Sequence, residues 1–232
     1  MGRDLSLTRR TEESRDKRPS AVINFELDEI KNHFDENIMD IENQFEIIDR
    51  LDAEVDKEKI DCILRSQIVF LGSSLDFYFH EITKFGLMKI YEGIWEETTK
   101  YKNIEVKMSI VSQVLRERES SEWFIEFINK KYIEVTMMSW DSINSQLNLI
   151  GLNVQNIAKD AFFERGSSEK VKDKLKRRIG ELYRRRNSIA HQFDRLHSDA
   201  TRIEISKELV IEFIEDVKKI VYAVHEDAKN KN

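Results

Sequence analysis

The chain has 232 residues, 40% of them hydrophobic and 35% charged, with a net charge of −6, enough for one large domain or two small ones around a sizeable core. Seven glycines and one proline leave little to interrupt helices, and a single cysteine, Cys62, excludes an internal disulfide framework or a Cys-rich zinc site and suits a reducing compartment. No apolar run approaches the ~18 residues of a membrane span and no signal-like segment is visible, so the composition reads as an all-α, soluble, cytoplasmic protein with no membrane partner.

Residues 1–20 are polar and charged and contain the only proline, which reads as a flexible tail ahead of one helical domain over 21–230. A first helix is predicted from about 22 to 50, with Ile23, Leu27, Ile30, Phe34, Ile38, Ile41, Phe45 and Ile48 at three- and four-residue spacings. A second spans about 56–91. Its stripe is Leu64, Ile68, Leu71, Leu75, Tyr78, Ile82 and Phe85, and Ile63, Phe70 and Phe77 on the other side place it mid-bundle. Helices near 104–117 and 120–135 follow, the latter opening on Ser120 or Ser121. From 136 to 166 the pattern is less regular, with "SWDS" and Gly151 as breaks and a short helix at 153–162. A basic helix over 169–195, capped by Ser168, and a last helix over 206–228 complete an antiparallel bundle with a helical insertion at about 92–165.

The charge is uneven. Residues 168–195 carry ten Lys/Arg against four acids, so this segment is +6 and the rest of the chain −12. Such a strip is either a phosphate-binding surface, with Lys174, Arg178, Arg184 and Arg185 as phosphate contacts, or a solvated helix face. Within it "ELYRRRNSIAHQFDR" places Arg186 mid-stripe among Leu175, Ile179, Leu182, Ile189, Ala190 and Phe193. A cation rarely occupies such a place without a partner. Asp76 and Glu81 of the second helix are the candidate acids for an ordinary buried pair.

Phosphate-cradling G-x-x-x-x-G-K, dinucleotide-binding G-x-G-x-x-G and nucleophile-elbow G-x-S-x-G motifs are missing. His191, Asp194, His197 and Asp199 could converge on a metal, but a helix end rich in His and Asp is common, and neither a metal nor a cofactor is expected. His225 with Glu226 and Asp227 reads as an exposed charged patch. Trp95, Trp123 and Trp140, scattered at helical spacing, read as core. His80, one turn after Asp76, is either a boundary residue or part of a proton relay.

"RRRNSIAH" resembles the R-x(4–6)-H motif of HEPN domains in its R-N-x-x-x-H form, which selects Arg186, Asn187 and His191. "LGSSLDFYFHEI" (71–82) and "RRRNSIAHQFDR…IEISKELVIEFIEDVKKIV" resemble the second and last two helices of the RiboL-PSP type. The resemblance implies metal-independent RNA cleavage by attack of the 2′-hydroxyl. His191 would be general base or acid, Arg186 would hold the phosphate, Asn187 would orient either, and Asp76, His80 and Glu81 would support them. It also implies a homodimer with motifs facing across a cleft, and a setting in toxin–antitoxin or antiviral defence with an antitoxin or defence-system partner. The stripe bearing Arg186 would then face the second protomer. Some relatives are silenced by modification of a tyrosine two residues after the histidine; here that position is Phe193, which has no hydroxyl. The alternative is a non-catalytic helical adaptor or immunity module that dimerises or binds a protein.

Overall fold

The computed structural model describes residues 24–117, 122–132 and 135–231. Among them are nine helices: α1 (Leu27–Ile48), α2 (Lys57–Tyr91), α3 (Thr99–Lys102), α4 (Met108–Glu117), α5 (Glu122–Tyr132), α6 (Trp140–Leu149), α7 (Val154–Phe162), α8 (Val171–Gln192) and α9 (Lys207–Lys229). No strand is present among the described residues beyond an isolated bridge between Arg195 and Arg202. The expected tail and the Ser120 or Ser121 cap lie outside the described residues. No helix among these is long and apolar enough to cross a membrane.

Everything is built around α2, whose 35 residues span about 52 Å at 1.5 Å per residue. Its faces meet α1, α5, α6, α8 and α9. Antiparallel pairing with α1 is fixed by contacts whose numbers rise on one helix and fall on the other: Glu26 near Lys89, Phe34 on Tyr78, and Ile41 O accepting from Gln67 Nε2 at 2.8 Å. The same test makes α9 antiparallel to α1, through His225 near Asp28, Tyr222 donating to Asp35, and Lys218 beside Glu42. Polar groups in this core find backbone acceptors, as when the fully buried Tyr78 donates its hydroxyl to Val221 O at 3.3 Å.

Several elements differ from the sequence expectation. The first helix begins at Leu27, where the Glu29 carboxylate accepts from Glu26 N–H at 2.8 Å and closes the first turn. "SWDS" starts a helix rather than breaking one, because Ser139 accepts from Ser142 N–H as the N-cap of α6. The helix expected over 104–117 starts only at Met108, as α4, and the one-turn α3, capped by Thr98, precedes it outside the expected range. Ser168 does not cap α8; Lys170 occupies the N-cap without a side-chain bond. His225, expected in an exposed patch, is 2% exposed. It sits beside the Val217, Val221, Val224 and Ala228 stripe that packs α9 inward.

The second apolar side of α2 is not covered. Phe70 is 52% exposed and lines an open groove between α1 and α2. The 92–165 segment does not stand apart, since α5 and α6 pack on α2 and α7 packs on α8 and α9, all within one continuous core.

The far end of α8 is closed by Phe193 and Asp194 in consecutive left-handed conformations, at φ 50° and 59°. Each such residue costs roughly 1–2 kcal/mol without glycine's freedom. What offsets this is the completely buried Asp194 carboxylate, which accepts from Arg65 Nε at 3.0 Å and Ser188 Oγ at 3.3 Å and forms an ion pair with Arg185 Nη2 at 2.7 Å. Arg65 also donates to Asp61 O and Ile203 O, so α2, α8 and the 195–206 turn are tied at one point.

Asp194→Asn keeps shape and tolerance of positive φ but leaves Arg185 without a counter-charge among the described residues and Arg65 with only the Asp61 carboxylate, 3.4 Å away. It should lower stability by about 3–5 kcal/mol in urea titrations. Glu46→Gln, which breaks the exposed pair with Arg50, should leave the midpoint unmoved. Equal shifts in the two variants would contradict the anchoring role.

Candidate active site

Successive residues of a helix turn by about 100°, so the three arginines of α8 leave it in three directions. Arg184 is exposed. Arg185 turns inward to Asp194 and the carbonyls of Ile203 and Glu204. Burial lowers its pKa, the Asp194 charge opposes that, and neighbouring Arg65 adds to it. Arg186 points the other way, toward α2 and α5, into a cavity of about 340 Å³.

Other cations of the basic strip are also occupied. Lys174 pairs with Glu164 at 2.7 Å, and Arg178 lies among Glu181, Glu212 and Asp216. Arg177 bridges Glu169 and Glu181. Of the triple-arginine run, Arg184 and Arg186 have no carboxylate partner among the described residues. The strip is therefore less positive than its composition suggests.

Arg186 is the informative case. Its stem lies against α2 at Gly72, where an added Cβ would stand 3.0 Å from Arg186 Cγ and 2.5 Å from Met138 Cε. A mid-helix glycine costs about 1 kcal/mol against alanine; here it provides the space that lets a half-buried guanidinium reach the cavity. Nη1 donates to Asn187 Oδ1 at 3.2 Å, while Nε is buried with no partner. The acids proposed for it are used elsewhere. Asp76 Oδ1 accepts from Met137 N–H at 2.5 Å, and Glu81 is 2.6 Å from Lys84. The ordinary buried pair with the second helix does not form, and Arg186, its Nε–H unpartnered among the described residues, lines a cavity together with Asp76, His80 and Glu81. His80 Nε2 stands 3.9 Å from Asp76 Oδ2, beyond hydrogen-bond reach.

His191 is exposed and does not line this cavity. In projection it lies about 140° from Arg186 but only about 40° from Asn187 and 20° from Arg184. A single chain thus unites Arg186, Asn187, Asp76, His80 and Glu81 and leaves His191 on the adjoining outer face. The apolar stripe is divided likewise. Leu175, Ile179 and Leu182 are buried within the chain, and only its end, with Ala190 and the 75% exposed Phe193, faces outward. The expectation that the whole stripe meets a partner is corrected by that burial.

The metal quartet does not assemble, because Asp194 is enclosed by arginines; no group of three His, Cys, Asp or Glu side chains suited to a metal occurs among the described residues. Sequence reasoning missed Gly72, Asn129, Tyr132 and Met138. The first had a signal, an isolated glycine inside a helix; the others come from the 92–165 segment, which the motifs carrying the family resemblance do not reach.

A family model described as RiboL-PSP-HEPN matches residues 23–230, nearly the whole described chain. No curated protein and no solved structure matches it.

Removing each arginine should separate their roles. Arg186→Met takes an unpaired charge out of a half-buried place, so its melting temperature should equal or exceed that of the parent. Arg185→Met strips a charge-assisted bond from Asp194 and should melt lower. Thermal melts of the two variants side by side check this, and the reverse order would mean that Arg186 is the structural residue.

Proposed function

Because this chain belongs to the RiboL-PSP-HEPN family, whose domains are of the ribonuclease type, we propose that it is a metal-independent endoribonuclease acting through Arg186, Asn187 and His191. The observation that carries the reading is Arg186. A cation held half-buried, tied to Asn187, given no carboxylate and opening on a cavity is costly for the fold and suited to an anion from outside.

RNA brings its own nucleophile. The 2′-oxygen attacks the adjacent phosphorus, the P–O5′ bond breaks, one proton leaves the 2′-hydroxyl and another reaches the departing 5′-oxygen. The products are a 2′,3′-cyclic phosphate and a 5′-hydroxyl. Arg186 neutralises charge gathering on the phosphoryl oxygens. Asn187, whose Oδ1 is engaged by Arg186, keeps two amide N–H donors for the phosphate. An imidazole exchanges protons near neutral pH, which makes His191 the acid or base. The exposed Arg184, on the same side of α8 as His191, supplies salt-sensitive backbone binding.

The divergence of Arg186 and His191 favours a site completed by a second copy of the chain. Two copies meeting at the ends of α8 would bring two imidazoles to one cleft, one for each proton transfer. The exposed Phe193, with Ala190, gives that contact its apolar part. The same divergence is the observation that favours the second reading, a binding-only module, since one protomer alone has no assembled catalytic set. A toxin or antiviral-defence role, under the control of a partner protein, fits the ribonuclease reading.

Purified protein should cut mixed RNA in EDTA, leave all-deoxy oligonucleotides intact and yield cyclic phosphate ends. His191→Ala should abolish cutting by a factor of roughly 10²–10⁴ while RNA binding persists. Phe193→Glu should give a helical but inactive monomer by light scattering. Loss of activity in EDTA with rescue by Mg²⁺, or an active Phe193→Glu monomer, would falsify the mechanism.

A further inference from the structure

The cavity that receives Arg186 has a wall that the motif does not explain. Helix α5 packs on α2 and contributes Asn129 and Tyr132; α2 contributes Asp76, Phe77 and His80. At about 340 Å³ the cavity lies at the small end of ligand clefts, roughly 300–1,000 Å³. We propose that it is a subsite for one unpaired nucleobase bearing an amino group, stacked on Phe77 and read by Asp76 and Asn129. The segment between α2 and α8 would then set where the RNA is cut. This rests on the ribonuclease reading, with the phosphate at Arg186 and the adjoining base directed inward.

Three observations support it. Phe77 is 36% exposed although it belongs to the central helix, and it lines both this cavity and the α1–α2 groove, where His33 is edge-on to its ring; single-stranded RNA is recognised by stacking splayed bases on such rings and bonding to their edges. Asp76 has one oxygen committed to Met137 N–H and the other without a hydrogen bond among the described residues. A carboxylate only accepts, so the group opposite it must be an N–H. Adenine, cytosine and guanine offer exocyclic amino groups, whereas uracil's single imino N–H lies between two carbonyl oxygens that the carboxylate repels. The half-buried Asn129 has both amide donor and acceptor free among the described residues to read a neighbouring edge atom. Tyr132 adds a hydroxyl that burial keeps protonated.

Short deoxyuridine oligonucleotides with one central dA, dC or dG cannot be cleaved, so they measure the subsite without requiring activity. Fluorescence anisotropy should show at least one amino-bearing base binding about tenfold more tightly than the all-deoxyuridine strand. Asn129→Ala should remove the difference, and Asp76→Asn, which offers a donor in place of an acceptor, should shift preference toward uracil. Phe77→Ala should weaken all strands about tenfold. Equal binding of every strand by the parent protein, or unchanged discrimination in both polar variants, overturns the subsite. Base-dependent binding by a protein that cuts no RNA would leave the subsite standing and remove the ribonuclease reading instead.

Discussion

The buried Asp194 carboxylate is the constraint on which the arrangement of α8 depends. Two guanidiniums, one from the central helix and one from α8 itself, converge on it at 3.0 and 2.7 Å. That pairing fixes how α8 is rotated and where it stops. With Arg185 committed inward, its neighbours can only point about 100° to either side, so Arg184 is sent to the surface and Arg186 to the cavity. The left-handed residues that end the helix are tolerated because the carboxylate they position has two hydrogen-bond donors and a second guanidinium paired with it. The structural anchoring and the proposed chemistry thus fall to adjacent arginines of identical type.

The second consequence is energetic. A guanidinium that is half out of water and lacks an acid is a net cost to folding. Gly72 adds a further cost in helix propensity to make room for it. A fold under selection for stability alone would place leucine at 186, and alanine at 72 if Met138 did not also fill that space. That both departures occur at one point, beside a cavity with unsatisfied polar groups, is the physical basis for locating function there.

Much of this was legible in the sequence. The three- and four-residue apolar spacing gave α1, α2, α8 and α9, because helices that bury one or two full faces write their period plainly. Arg186 stood out for the same reason: a cation inside an apolar stripe breaks the period. What the sequence could not show was direction. Arg184, Arg185 and Arg186 are indistinguishable as letters, and the burial of Asp194 follows from Arg65, which lies 129 positions away. Nor could the period reveal that Phe70 and Phe77 remain uncovered; exposure depends on which helices arrive. The 92–165 segment was least legible, since its helices are short and begin with side-chain caps, as at Thr98, Ser139 and Asn153, that read equally well as breaks.

The central claim is that Arg186, and not its neighbours, is the cation held open for the substrate. Its buried Nε–H has no partner among the described residues, and an arginine-selective NMR spectrum observes that group directly. On addition of a short 2′-deoxy oligonucleotide, which binds without being cut, the Arg186 Nε resonance should shift strongly and its proton should become protected from solvent, with the Arg65 signal unmoved. An Arg186 signal that stays in place while Arg65 or Arg185 responds would contradict it.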